Sequence, residues 1–235
     1  VSINYQVRNA GKRTGEVYIY DQIGANFWGD GISANNFKDD LKNLGQVDLI
    51  RVRVNSPGGV MFDGIAMYNL LKSHPARIEV DVDGMALSAA SVIAMAGDEI
   101  RIASNAMMMI HNPQGAAFGD SGVLRETADL MDQAKVGLVN TYVQRTGIDA
   151  GRIEAMMDDE TWFTAAEAVE AGFADSVTGE LAVAACFDQT KFQRVPPKIK
   201  ALINARNVVP FHALNRFAPR IADMRRRAEL RMKSA

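Results

Sequence analysis

Two β-turn-α units stand in tandem between residues 47 and 97, each with its glycines at the passage from strand to helix. In the first, Val47 to Val54 alternates apolar and charged residues, Asn55-Ser56-Pro57-Gly58-Gly59 follows, and Met61, Ile65, Tyr68 and Leu71 recur at helical spacing. In the second, Arg77 to Val82 reads as a strand, Gly84-Met85-Ala86-Leu87 as a turn, and Ser88 to Ala96 as a helix of small residues stopped by Gly97. Strands joined through helices pair in parallel, so a mostly parallel α/β sheet covered by helices is expected, with ligand sites at the carboxyl ends of its strands. Both Gly-rich turns belong at that edge. Around these units, Glu16 to Tyr20 reads as a strand, Ser33 to Leu44 as a helix behind a capping serine, and Glu99 to Ile102 and Ala106 to Ile110 as short strands. Ser121 to Arg145 is the longest helix, and its apolar residues suit it to assembly as well as to the core.

The 235 residues are 48% hydrophobic, enough for a full core without covalent staples. The single cysteine, Cys186, can form no internal disulfide and cannot supply the thiolates of a structural zinc site, so a reducing, cytoplasmic setting without a metal or other cofactor is expected. No apolar stretch approaches the roughly 18–20 residues of a membrane span, and Val1 to Arg13 has no apolar core of a secretory signal. Charge divides the chain. From Arg194 to Ala235 eleven Lys or Arg face Asp223 and Glu229, a net of +9, which leaves −11 for the rest. With Val195-Pro196-Pro197 as punctuation, residues 1–190 read as one domain and 191–235 as a basic extension or linker. Nucleic acid could bind only there, through Arg225, Arg226, Arg227 and Arg231, although a solvated helix end or linker is the plainer reading.

A serine hydroxyl is a nucleophile only beside a base and beneath donors for the developing oxyanion. Ser88 stands at a strand-to-helix turn flanked by Gly84, Ala86, Ala89 and Ala90; the alternative for an isolated serine there is a helix N-cap. Three histidines can supply the base. His74 belongs to a helix end, His212 to the basic tail, and His111 follows the apolar run Met107 to Ile110 where a buried strand meets a loop. An orienting acid can come from Asp158-Asp159-Glu160, set ahead of Trp162 and the capping box Thr164-Ala165-Ala166-Glu167. Gly58-Gly59 can turn a backbone N–H toward an oxyanion, and it lacks the Gly-Lys-Ser/Thr ending of a phosphate loop.

Asn55-Ser56-Pro57-Gly58-Gly59, Gly84-x-Ala86-x-Ser88, Met109-Ile110-His111-x-Pro113 and Trp162-Phe163-Thr164-Ala165-x-Glu167-Ala168 with Gly172 and Asp175 resemble, in order and spacing, the ClpP-like serine peptidase family. The resemblance runs from about Glu16 to Val177 and implies the ClpP/crotonase-like fold of repeated β-β-α units with a long protruding helix. It makes Ser88 the nucleophile, His111 the base, Gly59 and Ala89 the oxyanion donors, and Glu160, or Asp159 one residue away, the third member. An extended polypeptide would lie along Gly58, Val60 and Met61 on one side and Pro113 and Gln114 on the other. The Ser-Ala-Ala-Ser and Glu-Thr-Trp variants are most similar to the phage-borne branch associated with head maturation, which implies a capsid or scaffold protein as substrate and a homo-oligomeric ring. The family's segment for contacting an ATPase has no counterpart in Val1 to Gly15, so no such partner is expected. Competing readings are general Clp-type cytoplasmic degradation, a crotonase-like acyl-CoA enzyme, and a non-catalytic assembly scaffold.

Overall fold

The structure is a computed structural model that describes residues 5–24, 31–179 and 192–197. The chain divides into two compact units, Val1–Arg194 and Val195–Ala235. Only residues 195–197 of the second are among the described residues, so His212 and the basic run near Arg225 lie outside them, as does Cys186 of the first.

In chain order the elements are β1 (Tyr5–Asn9), β2 (Thr14–Ile19), α1 (Ala34–Asn43), β3 (Leu49–Ser56), α2 (Met61–Lys72), β4 (Arg77–Leu87), α3 (Ala89–Ala94), β5 (Glu99–Ala103), β6 (Met107–Ile110), α4 (Ser121–Thr146), α5 (Ala150–Asp158), β7 (Thr161–Thr164), α6 (Ala165–Glu170) and β8 (Ser176–Thr178). The strands form one mixed sheet in the order β1-β2-β3-β4-β5-β8, with β6 added to β4 and β7 to β6. The β2-β3-β4-β5 core is parallel, as the tandem units require, and the β1–β2 and β6–β7 pairs are antiparallel.

One expectation is corrected. Gly84 to Leu87 is the second half of β4 and not a turn. Residues Arg77 to Val82 pair with β3, and Met85, Ala86 and Leu87 then pair with Met107, Met108 and Met109 of β6. A backbone partner some twenty residues downstream satisfies this stretch, and no local signal discloses it. The reversal is compressed into Ser88 itself.

Alternation along the strands sorts the sheet into two faces. Val17, Ile19, Ile50, Val52, Val54, Ile78, Val80, Val82, Ile100 and Ile102 are buried in the core with Phe37, Met67 and Leu71 of the helices. The opposite rungs carry Arg51 with Glu79, Arg53 with Asp83, and Arg101 with Asp81 and Glu79. That charged face explains why the strands alternate where strands buried on both faces would be apolar throughout. Helix α4 is likewise divided: Leu138, Val139 and Tyr142 are buried, whereas Val123, Leu124, Leu130 and Val136 are exposed. Among the described residues no helix is long and apolar enough to cross a membrane.

Candidate active site

Ser88 follows β4 directly, in a conformation that L-residues avoid, with φ 54° and ψ −127°. Such a backbone costs about 1–3 kcal/mol and persists only where its surroundings over-determine it. Here they do. The Ser88 N–H donates to Met109 O at 3.0 Å, and the Ser88 carbonyl accepts from the Ser91 N–H at 2.9 Å and from Ser91 Oγ at 2.6 Å. Ser88 is formally the N-cap of α3, but its side chain caps nothing. Oγ lies 2.8 Å from His111 Nε2 instead, so the capping alternative fails on the direction of the hydroxyl.

His111 reaches that position because β6 runs beside β4: Leu87 pairs with Met109, so Ser88 follows on one strand next to Ile110 on the other, and His111 comes one residue beyond. The next pairing brings the acid. β7 is antiparallel to β6 with Thr161 opposite Ile110, so the residue before Thr161, Glu160, falls across from His111. Glu160 sits at φ 49° between α5 and β7 and is only 6% exposed. Burial pulls the His111 imidazole below its ordinary value, and the charge of Glu160 pulls it partly back. Among the described residues no direct hydrogen bond joins Glu160 to the ring. Its carboxylate accepts from the Arg194 N–H at 2.6 Å, the Gln193 N–H at 2.8 Å and Trp162 Nε1 at 3.3 Å.

The other two acids of the run are turned elsewhere. Asp159 is exposed and pairs with the Arg194 guanidinium at 2.5 Å. Asp158 accepts from Asn112 Nδ2 at 2.7 Å and from Lys135 Nζ at 2.6 Å, tying the loop after His111 to α5 and α4. Of the two acids that the sequence leaves open, Glu160 is therefore the one whose charge acts on His111.

The Gly58-Gly59 turn lies against Ser88. Ile23 donates to Gly58 O at 2.9 Å and Val60 donates to Ile23 O at 2.9 Å, so the Gly59 N–H between them points away from that bridge. Ala89 is the first residue of α3, where no intrahelical acceptor exists. Among the described residues neither N–H has a backbone acceptor. Both glycines are obligatory by space: a Cβ on Gly59 would stand 2.0 Å from Ile23 O, and one on Gly58 2.5 Å from Leu87 O. Their φ values of 150° and 85° independently disfavour any residue with a side chain.

Ser88, His111, Gly59 and Ala89 open onto a cleft of about 530 Å³. Val60 and Met61 line one wall, and Pro113 and Gln114 another. Gly58 stands behind the Ser88 turn and is not a wall of the cleft. Among the described residues no three His, Cys, Asp or Glu side chains group so as to hold a metal ion. Three contributors escaped sequence reasoning. Phe192 lines the cleft and lies against His111, with centroids 6.1 Å apart. Ser91 and the fully buried Tyr142 form a 2.8 Å hydroxyl pair behind Ser88. The one local hint was a lone aromatic, Phe192, in a polar stretch just ahead of Pro196-Pro197.

Residues 31–180 match the family described as Clp protease. The ATP-dependent Clp protease proteolytic subunit 1 of Protochlamydia amoebophila is 30% identical over 161 residues, covering 64% of this chain and 78% of the relative. The ATP-dependent Clp protease proteolytic subunit of Bacteroides fragilis is 31% identical over 153 residues, covering 63% and 74%. Among solved structures, a mutant ClpP1 from Listeria monocytogenes superposes with a TM-score of 0.61 at 21% identity, covering 70% of this chain and 91% of that one. At that identity the likeness speaks for the fold.

Proposed function

The chain belongs to the Clp protease family of serine-type peptidases, and from that premise we propose that it cleaves peptide bonds by way of Ser88, His111 and Glu160. The observation that carries this reading is the 2.8 Å Ser88 Oγ–His111 Nε2 contact at a left-handed turn. His111 takes the Ser88 proton as Oγ attacks the carbonyl carbon, and returns it to the leaving amine; water then hydrolyses the acyl-enzyme by the same relay. The N–H groups of Gly59 and Ala89 hold the oxyanion, each contributing about 2.7–4 kcal/mol to the transition state. An extended substrate hydrogen-bonds along Gly59-Val60-Met61 and Pro113-Gln114-Gly115, a mode that reads main chain more than side chains. A fluorophosphonate should label the wild-type chain on Ser88 and leave Ser88→Ala untouched; an unlabelled wild type would reject the assignment. The crotonase-like reading gives this pair no work, and the scaffold reading needs no pair at all.

The finer assignment is a head maturation peptidase acting on a capsid or scaffold protein, which the Ser-Ala-Ala-Ser and Glu-Thr-Trp variants support. The names of the relatives favour a second reading, general proteolysis as a Clp subunit. Mass spectrometry of capsid and scaffold proteins incubated with wild type and Ser88→Ala separates them: discrete cuts favour maturation, and indiscriminate degradation favours the second. We further place the protein in the cytoplasm, as a homo-oligomeric ring that uses the exposed apolar stretch of α4 between subunits. The peptidase domain ends at about Arg194 and the basic remainder is an extension.

A further inference from the structure

We propose that Phe192, Gln193 and Arg194 form a positioning strap for the acid of the triad, orienting the Glu160 carboxylate and covering His111. The inference rests on the triad reading above and adds to it a segment outside the stretch matched by the family.

The contacts of these three residues argue for a built element. Gln193 N–H donates to Glu160 Oε2 and Arg194 N–H to Oε1, so consecutive amides grip both oxygens of one carboxylate. Arg194 Nη1 holds the neighbouring Asp159 through its carbonyl at 3.1 Å and its carboxylate at 2.5 Å. The Phe192 ring stands edge-on to Trp162 at 5.6 Å and tilted against His111 at 6.1 Å. It also packs with Trp162 on the buried cluster of Met85, Leu87 and Met109, the ends of the strands that carry Ser88 and His111. A glutamate has one more rotatable bond than an aspartate. Two main-chain donors and the Trp162 indole remove that freedom and hold the carboxylate in one place, near enough for its charge to act on the imidazole.

The charges around His111 make the strap's effect readable. Asp158 is paired with Lys135 and Asp159 with Arg194, which leaves Glu160 as the charge acting on the ring. Shelter lowers the imidazole's proton affinity and Glu160 raises it. Losing Phe192 and losing the grip on Glu160 should therefore move His111 in opposite directions.

The test uses the full chain. Amide exchange in the wild type should be slow at Gln193 and Arg194, by at least tenfold against an unstructured chain, and Glu160→Ala should release both. In Phe192→Ala, NMR titration of His111 should move to higher pH, the acid limb of fluorophosphonate labelling should move with it, and the plateau rate should fall about tenfold. Phe192→Tyr should restore all three. Unprotected amides in the wild type, or a Phe192→Ala chain whose His111 titrates as the wild type does, would overturn the strap; the first readout needs no variant to fold. Protected amides in a wild type that no fluorophosphonate labels would instead overturn the triad reading beneath it.

Discussion

Ser88 holds a backbone shape suited to glycine at a position where the proposed chemistry needs a hydroxyl. Ser88→Gly and Ser88→Ala both delete Oγ and differ mainly in that strain, so the glycine variant should be the more stable by about 1–3 kcal/mol in urea denaturation. Equal stability would mean that the turn is relaxed. His111 offers a second residue-scale prediction. Burial is the larger influence and lowers its proton affinity below the ordinary 6.5, while Glu160 opposes it. A base must be neutral to accept the serine proton, so kcat/KM should fall as pH drops through a limb lying below 6.5. Glu160→Gln removes the opposing charge. The limb should move to still lower pH while the plateau drops by as much as ~10⁴-fold, the loss that accompanies a mis-held imidazole. A limb that moves upward would exclude Glu160 as the partner.

Among the elements, α4 reaches Ser88 through one buried pair. Tyr142 bonds Ser91, and Ser91 Oγ also bonds Ser88 O, so the long helix is linked to the strained turn by two hydroxyls. Tyr142→Phe leaves Ser91 able to donate to Ser88 and should cost about 0.5–1.5 kcal/mol. Ser91→Ala strands the phenol hydroxyl in the core and frees the turn; it should cost about 1–3 kcal/mol and slow Ser88 labelling as well. Thermal melts beside labelling rates check the order, which a larger loss in Tyr142→Phe would reverse. The elements themselves were largely legible, because alternation and 3.6-residue periodicity are local: the helices at Ser33, Met61 and Ser121 and the box at Thr164 fall where the pattern puts them. Residues 84–87 look like a turn in the local sequence because their partner, β6, is distant along the chain. Choosing between Asp159 and Glu160 needed the β6–β7 register, and Phe192 needed a contact across eighty residues, neither of which any window of sequence contains.

For the whole molecule, the two compact units predict where the chain can be cut. A protein ending at Arg194 keeps the strap and should retain fluorophosphonate labelling, whereas one ending at Thr190 loses both amides that hold Glu160 and should be labelled at least tenfold more slowly. Equal rates would make everything beyond 190 dispensable, and loss in both would tie the basic extension to activity. The larger consequence comes from the shared ladder. Leu87, Met109 and Trp162 are paired in sequence across β4, β6 and β7, and each is followed or preceded at a short step by one of the three residues of the proposed triad. Reactivity here is a property of a seam between three strands. A slip of those strands by a single rung would separate the three proposed triad residues while leaving every one of them unchanged, so the proposed chemistry depends on backbone pairing as much as on side chains.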